Sequence, residues 1–219
     1  MLKYIYQSLM CFRKAFPRSS TWLMFCMVVL GFIGTYEMTG VTSFCRFWSL
    51  DSIGYNAFIH FFRASEWSLN HVIALWGSFI LSQNETVQSD GRAVLLGDHT
   101  NAPKDGRRMP CVVTMHQHSE TQSKPSYFRG HYWGAIGMLI GSMSCAFCIP
   151  LSLGIHQGLV HVNENSKAEE SKETLGTRIV QMALDFATRH DLPSILILDA
   201  FFPRSSGIQV STVSVVSQA

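Results

Sequence analysis

Two aspartates, Asp98 and Asp199, each close a short apolar run: Arg92-Ala-Val-Leu-Leu-Gly-Asp98 and Ser194-Ile-Leu-Ile-Leu-Asp199. Runs of this length and composition read as buried strands, so each acid is expected at a strand end. Two carboxylates delivered to neighbouring strand ends can hold hard divalent cations. Mg²⁺ prefers oxygen ligands and keeps several waters, so one or two protein carboxylates plus phosphate oxygens satisfy it. A pair of such ions about 3.5–4 Å apart can activate a water or a 3′-hydroxyl and stabilise the leaving oxygen of a phosphodiester. Taken singly, an acid at the end of a buried strand more often caps a helix or enters a loop. No GxxxxGK[ST] sequence is present, which sets aside the P-loop use of strand-end acids.

The stretch after Asp98 is basic and aromatic. Lys104, Arg107, Arg108, Lys124 and Arg129 are interleaved with His116, His118, Tyr127, Phe128, His131, Tyr132 and Trp133. Cationic side chains contact backbone phosphates and rings stack on exposed bases, although a solvated surface loop can share this composition. His99, His116 and His118 match no metal-site spacing and read as DNA contacts or loop structure. Of the six cysteines, only Cys145-Ala-Phe-Cys148 has ligand-like spacing, and no second pair stands near it. Its apolar, uncharged surroundings predict two buried thiols.

The elements that must position these residues follow from composition and pattern. The 219 residues suffice for one large or two smaller domains. A net charge of +2 is too mild to announce a nucleic-acid binder in bulk, so electrostatics must act locally. Residues 1–88 read as helical. Trp22 to Gly34 resembles a signal peptide in outline but lacks a small-residue cleavage site, and a buried helix is expected there. Asp51-Ser52 caps a helix with Tyr55, Phe58, Ile59 and Phe62 on its apolar face, and Ser68 caps one carrying Val72, Leu75, Trp76 and Phe79. Such helices could form a helix-turn-helix-like DNA reader or a bundle packed on the next domain. Asn84 to Gly91 is polar and ends in Asp-Gly, which places a domain boundary near residue 88.

Thr100 to Gly130 reads as a long polar loop interrupted by a strand-like Cys111 to Met115. Tyr132 to Ser142 and Ala146 to Ile155 suggest a strand hairpin. Glu173 to His190 is the clearest helix, with Leu175, Ile179, Met182, Ala183 and Phe186 on one face. A helix crossing between strands returns the last one parallel to its partner. If that partner is the Arg92–Asp98 strand, Asp98 and Asp199 emerge side by side. The expected class is therefore α/β: an incomplete ribonuclease H-like core over residues 89–203, an α-helical region before it, and a divergent Ser/Val-rich tail over 204–219.

Longer motifs sharpen this. Gly97-Asp98-His-Thr-Asn-Ala-Pro-Lys-Asp-Gly-Arg-Arg-Met-Pro110 and His116-Gln-His-Ser-Glu-Thr-Gln-Ser-Lys-Pro-Ser-Tyr-Phe-Arg-Gly-His131 resemble the first catalytic block of a bacterial insertion-sequence transposase family of the DDE endonuclease superfamily. Glu173-Thr-Leu-Gly-Thr-Arg178 and Leu198-Asp-Ala-Phe-Phe-Pro203 resemble its second block. The resemblance implies that Asp98 and Asp199 are the first two acids of the triad, with Mg²⁺ (or Mn²⁺) as cofactor. It also implies cleavage of double-stranded transposon ends and transfer of a 3′-hydroxyl into target DNA. Lys104, Arg107, Arg108, Lys124, Arg129 and His131 become the expected DNA contacts. A homo-oligomer or intact transposase is the implied protein partner, and the nucleoid of a bacterial cytoplasm the implied location.

One departure matters. The sequence after Asp199 contains no Asp or Glu, so the third acid of the triad is missing. Glu164, Glu169 and Glu170 lie in a loose connector and are poor substitutes. The expectation is that the chain by itself neither cleaves nor joins transposon ends. Two alternatives stand beside it: a DNA-binding fragment that interferes with intact transposase, and a membrane protein. For the latter, Tyr132 to Ile155 has no charged residue and contains the GxxxG spacing Gly137 to Gly141.

Overall fold

The computed structural model describes residues 2–36, 40–63, 66–83, 85–104, 109–116, 127–142, 144–156, 175–198 and 213–217. The chain divides into two compact units, Met1–Ser82 and Gln83–Ala219.

The first unit is helical: α1 (Leu2–Met10), a 3-10 turn (Arg13–Ala15), α2 (Ser19–Gly34), α3 (Val41–Phe47), α4 (Ser52–Arg63) and α5 (Leu69–Leu81). Its core is aromatic, with Phe16, Phe44 and Phe58 fully buried alongside Phe12 and Phe61. Two of its indoles have their polar edges satisfied: Trp48 Nε1 donates to the Met27 carbonyl and Trp67 Nε1 to the Phe61 carbonyl, both at 3.0 Å. The Asp51 cap forms as expected: its Oδ1 accepts from the Ile53 and Gly54 amides at 3.0 Å each. Ser68 stands at the N-cap of α5 without a side-chain cap bond.

Two helical faces differ from the expected ones. On α4 the buried pair is Phe58 and Phe61, while Tyr55 and Phe62 are exposed. Phe61 stacks on Trp67 at 5.0 Å, and this aromatic contact rotates the stripe by one position. Helix α2 is apolar all round but buries only Thr21, Val28 and Gly31; Leu23, Phe32 and Ile33 are exposed.

The second unit is a seven-stranded mixed sheet with one described helix. Its strands are β1 (Gln88–Ser89), β2 (Arg92–Pro103), β3 (Val113–His116), β4 (Tyr127–Ser142), β5 (Cys145–Ile155), β6 (Ser194–Leu198) and β7 (Val213–Ser217), and helix α6 (Leu175–Arg189) precedes β6. β5 pairs antiparallel with β4, β4 antiparallel with β2, β2 parallel with β6, and β6 parallel with β7. β3 also pairs with β4. Helix α6 buries Ile179, Val180, Ala183, Phe186 and Ala187, close to the stripe that its spacing predicts.

Several boundaries move. Asp90 and Gly91 both have positive φ and form the turn of the β1–β2 hairpin, a conformation that Asp-Gly readily adopts. They lie inside the sheet unit. Thr86 bridges to Ile140, and the Val87 amide donates to the Leu139 carbonyl at 2.9 Å, so residues before 88 already belong to the sheet. The expected polar loop from Thr100 is shorter, because β2 and β4 stay paired out to Pro103 and Gly130. The tail is not wholly outside the core, since Val213–Ser217 adds β7 beside β6.

Tyr132 to Ile155 is a strand hairpin, so the Gly137–Gly141 spacing lies in β4 and not in a helix. Among the described residues no helix is long and apolar enough to cross a membrane. Cys145 and Cys148 are exposed, contrary to the expected buried thiols. They sit on β5, of which only Leu151 is buried.

Candidate functional site

The site is built from the register of β2 against β6. Parallel pairing aligns Ala93 with Ser194 and runs to Gly97 with Leu198. Each of those last residues immediately precedes an expected catalytic acid in the sequence, Asp98 and Asp199. Asp98 is the first exposed residue of β2 after the buried run Ala93 to Leu95 and the buried Gly97. Its carboxylate Oδ1 accepts from the His99 backbone amide at 2.7 Å. A carboxylate has about four acceptor positions, so this bond leaves capacity for a cation. Asp98 does not close its strand as expected: β2 runs on to Pro103 because it stays paired with β4, and Asp98 stands one residue beyond the last β2–β6 pair. A hard anionic oxygen there suits Mg²⁺ in kind. Asp199 lies outside the described residues, as do Arg107, Arg108, Lys124, His118 and Glu173. Among the described residues no cluster of three or more His, Cys, Asp or Glu forms a metal-binding group.

Beside Asp98 is a network that motif reasoning did not find. His99 Nε2 lies 2.9 Å from His156 Nδ1, and His156 Nε2 lies 3.3 Å from Met182 Sδ on α6. A thioether can only accept, so His156 Nε2 carries a hydrogen. In neutral His156, Nδ1 is then the acceptor, and His99 Nε2 donates to it. His156 is buried. Burial, and secondarily the neighbouring His156, pushes the His99 pKa down to about 4. The Tyr132 ring packs 5.0 Å from the His99 ring; burial raises its hydroxyl pKa, and the Asp98 charge adds to the rise. Gly134 makes room for the network, because a Cβ there would lie within 2.6 Å of both nitrogens of the His156 ring. His156 had no detectable signal in the sequence: it is a lone histidine after an apolar strand, outside every motif.

The cationic residues divide. Lys104 and Arg129 are both exposed and adjacent, since the Lys104 amide donates to the Arg129 carbonyl at 2.9 Å across the β2–β4 end. Lys104 is six residues beyond Asp98, about 20 Å along an extended strand. His131, expected as a DNA contact, is instead buried: its Nε2 donates to the Pro110 carbonyl at 2.9 Å, and its ring meets Trp133 edge-on. That bond ties the β3 approach to β4 and withdraws the imidazole from any phosphate.

No protein-family model matches the chain, and no curated protein matches it. The fold and the site therefore stand on their own geometry.

Proposed function

We propose that the second unit is a ribonuclease H-like core of the DDE transposase type, acting on the phosphodiester backbone of DNA. Asp98 and Asp199 are the carboxylates that hold Mg²⁺ against a scissile phosphate, and Lys104, Arg107, Arg108, Lys124 and Arg129 grip the flanking backbone. The observation that carries the reading is the parallel β2–β6 register, which aligns the residues immediately before the two acids. The order β5–β4–β2–β6–β7, antiparallel over its first three strands and parallel over its last two, supports it as the arrangement expected of such a core. The Lys104–Arg129 pair adds a cationic patch about 20 Å from Asp98, roughly the axial rise of six base pairs of duplex. When bound, Mg²⁺ would polarise the phosphate and lower the pKa of an attacking water or 3′-hydroxyl.

The test is iron-directed self-cleavage. Fe²⁺ takes the place of Mg²⁺, and with ascorbate and peroxide it generates hydroxyl radicals that cut the polypeptide nearest the ion. Cuts at both the Asp98 and the Asp199 segments are expected, suppressed by excess Mg²⁺ and lost in Asp98→Asn. Cleavage that ignores Asp98→Asn, or that maps to neither segment, overturns the reading.

A further inference from the structure

We infer that His156 is a positioning residue for Asp98, acting through His99. The inference rests on the proposed function, since it assigns a support to that site's carboxylate. Three contacts carry it in series. The His99 amide holds Asp98 Oδ1 at 2.7 Å, the His99 ring donates to His156 Nδ1 at 2.9 Å, and His156 is anchored on Met182 Sδ at 3.3 Å. The chain thus runs from a helix, through two imidazoles, to the backbone amide that orients the acid.

The surrounding structure is shaped for this. His156 follows the last residue of β5, and its own amide donates to the Tyr132 carbonyl at 2.8 Å, which fixes its backbone against β4. Gly134, which pairs with His99 across the β2–β4 ladder, lacks the Cβ that would expel the ring. The Tyr132 ring closes another side of His99. An exposed aspartate on β2, just past the last β2–β6 pair, would otherwise sample several rotamers. Fixing one of its oxygens reduces the entropy lost when a cation binds, and partners of this kind typically change metal affinity by about 10–100-fold.

The experiment measures Mn²⁺ binding to the full chain by loss of the free-ion electron paramagnetic resonance signal, and His99 amide exchange by NMR. His156→Leu keeps bulk but removes the acceptor, while His156→Asn keeps an acceptor near the Nδ1 position. His156→Leu is expected to weaken Mn²⁺ about tenfold and to speed His99 amide exchange by a similar factor. His156→Asn should restore most of both, which a merely space-filling role would not produce. Equal loss in the two variants, or wild-type binding in His156→Leu while Asp98→Asn loses it, overturns the positioning role and leaves the parent reading intact. Mn²⁺ binding that is absent or indifferent to Asp98→Asn overturns both.

Discussion

Substituting Gly134 by alanine should be costly out of proportion to one methyl group. The added Cβ would lie 2.6 Å from His156 Nδ1 and Nε2, so the buried ring must leave its seat. Forced overpacking costs about 1–3 kcal/mol, and the lost His99–His156 bond about 1 kcal/mol more. Replacing glycine restricts the unfolded chain and returns about 0.4–1 kcal/mol. The net loss for Gly134→Ala is therefore about 1–3.5 kcal/mol. His156→Ala alone removes the ring and leaves His99 without this acceptor, a loss of about 1–3 kcal/mol. In the double variant the methyl enters the vacated space, so the combined loss should stay near that of His156→Ala. The expected coupling is about 2 kcal/mol in favour of the pair. Amide exchange along β4, from Gly137 to Ile140, reads the stability of the second unit in the full chain. Losses that add to within about 0.5 kcal/mol would refute the steric argument.

Three further outcomes follow. Because the His99 pKa sits near 4 in the folded chain against an ordinary 6.5, the unfolded chain takes up the proton first; stability present above pH 6.5 is lost as the pH falls towards 4. Between pH 7 and pH 5 the wild type should lose about 1–2 kcal/mol more than His99→Gln in urea titrations, allowing for incomplete burial of the ring; equal losses would contradict it. Among the described residues, His190 Nε2 is a buried nitrogen without a hydrogen-bond partner, and the ring packs 4.7 Å from Phe186. His190→Phe should therefore raise stability by about 1 kcal/mol in thermal unfolding. Lys104→Ala with Arg129→Ala should lower duplex affinity across sequences and reduce the salt slope by about 0.9 per lost phosphate contact, so an unchanged slope would remove them from the interface.

What could be read from the sequence was whatever a repeating pattern or a bounded run encodes. The apolar runs before Asp98 and Asp199 correspond to β2 and β6, the 3.6-residue stripe to α6, and the paired apolar stretches to the β4–β5 hairpin. Pattern failed where the partner decides the outcome. Cys145 and Cys148 lie in an apolar segment, yet β5 leaves them exposed. His131 reads as one more member of a basic stretch, and only the Pro110 carbonyl makes it structural. Val213–Ser217 carries no core-like run, and its β assignment depends on the edge of β6 that receives it. His156 was invisible because its significance comes from Gly134, His99 and Met182, which are scattered along the chain.

The β2–β6 register also bears on the order in which the sheet is assembled. Gly97 and Leu198 meet across 101 intervening steps of chain, whereas Ser142 and Cys145 close the β4–β5 hairpin across three. Loop-closure entropy makes the longer contact about 3 kcal/mol harder to start. The hairpin, together with β2 laid against it, can therefore form early from nearer contacts, while β6 docks afterwards, carried in by α6. A half-folded second unit would display Asp98 without β6 beside the strand that carries it. The alignment of Gly97 with Leu198 is thus confined to chains that have completed the longest-range pairing in the sheet.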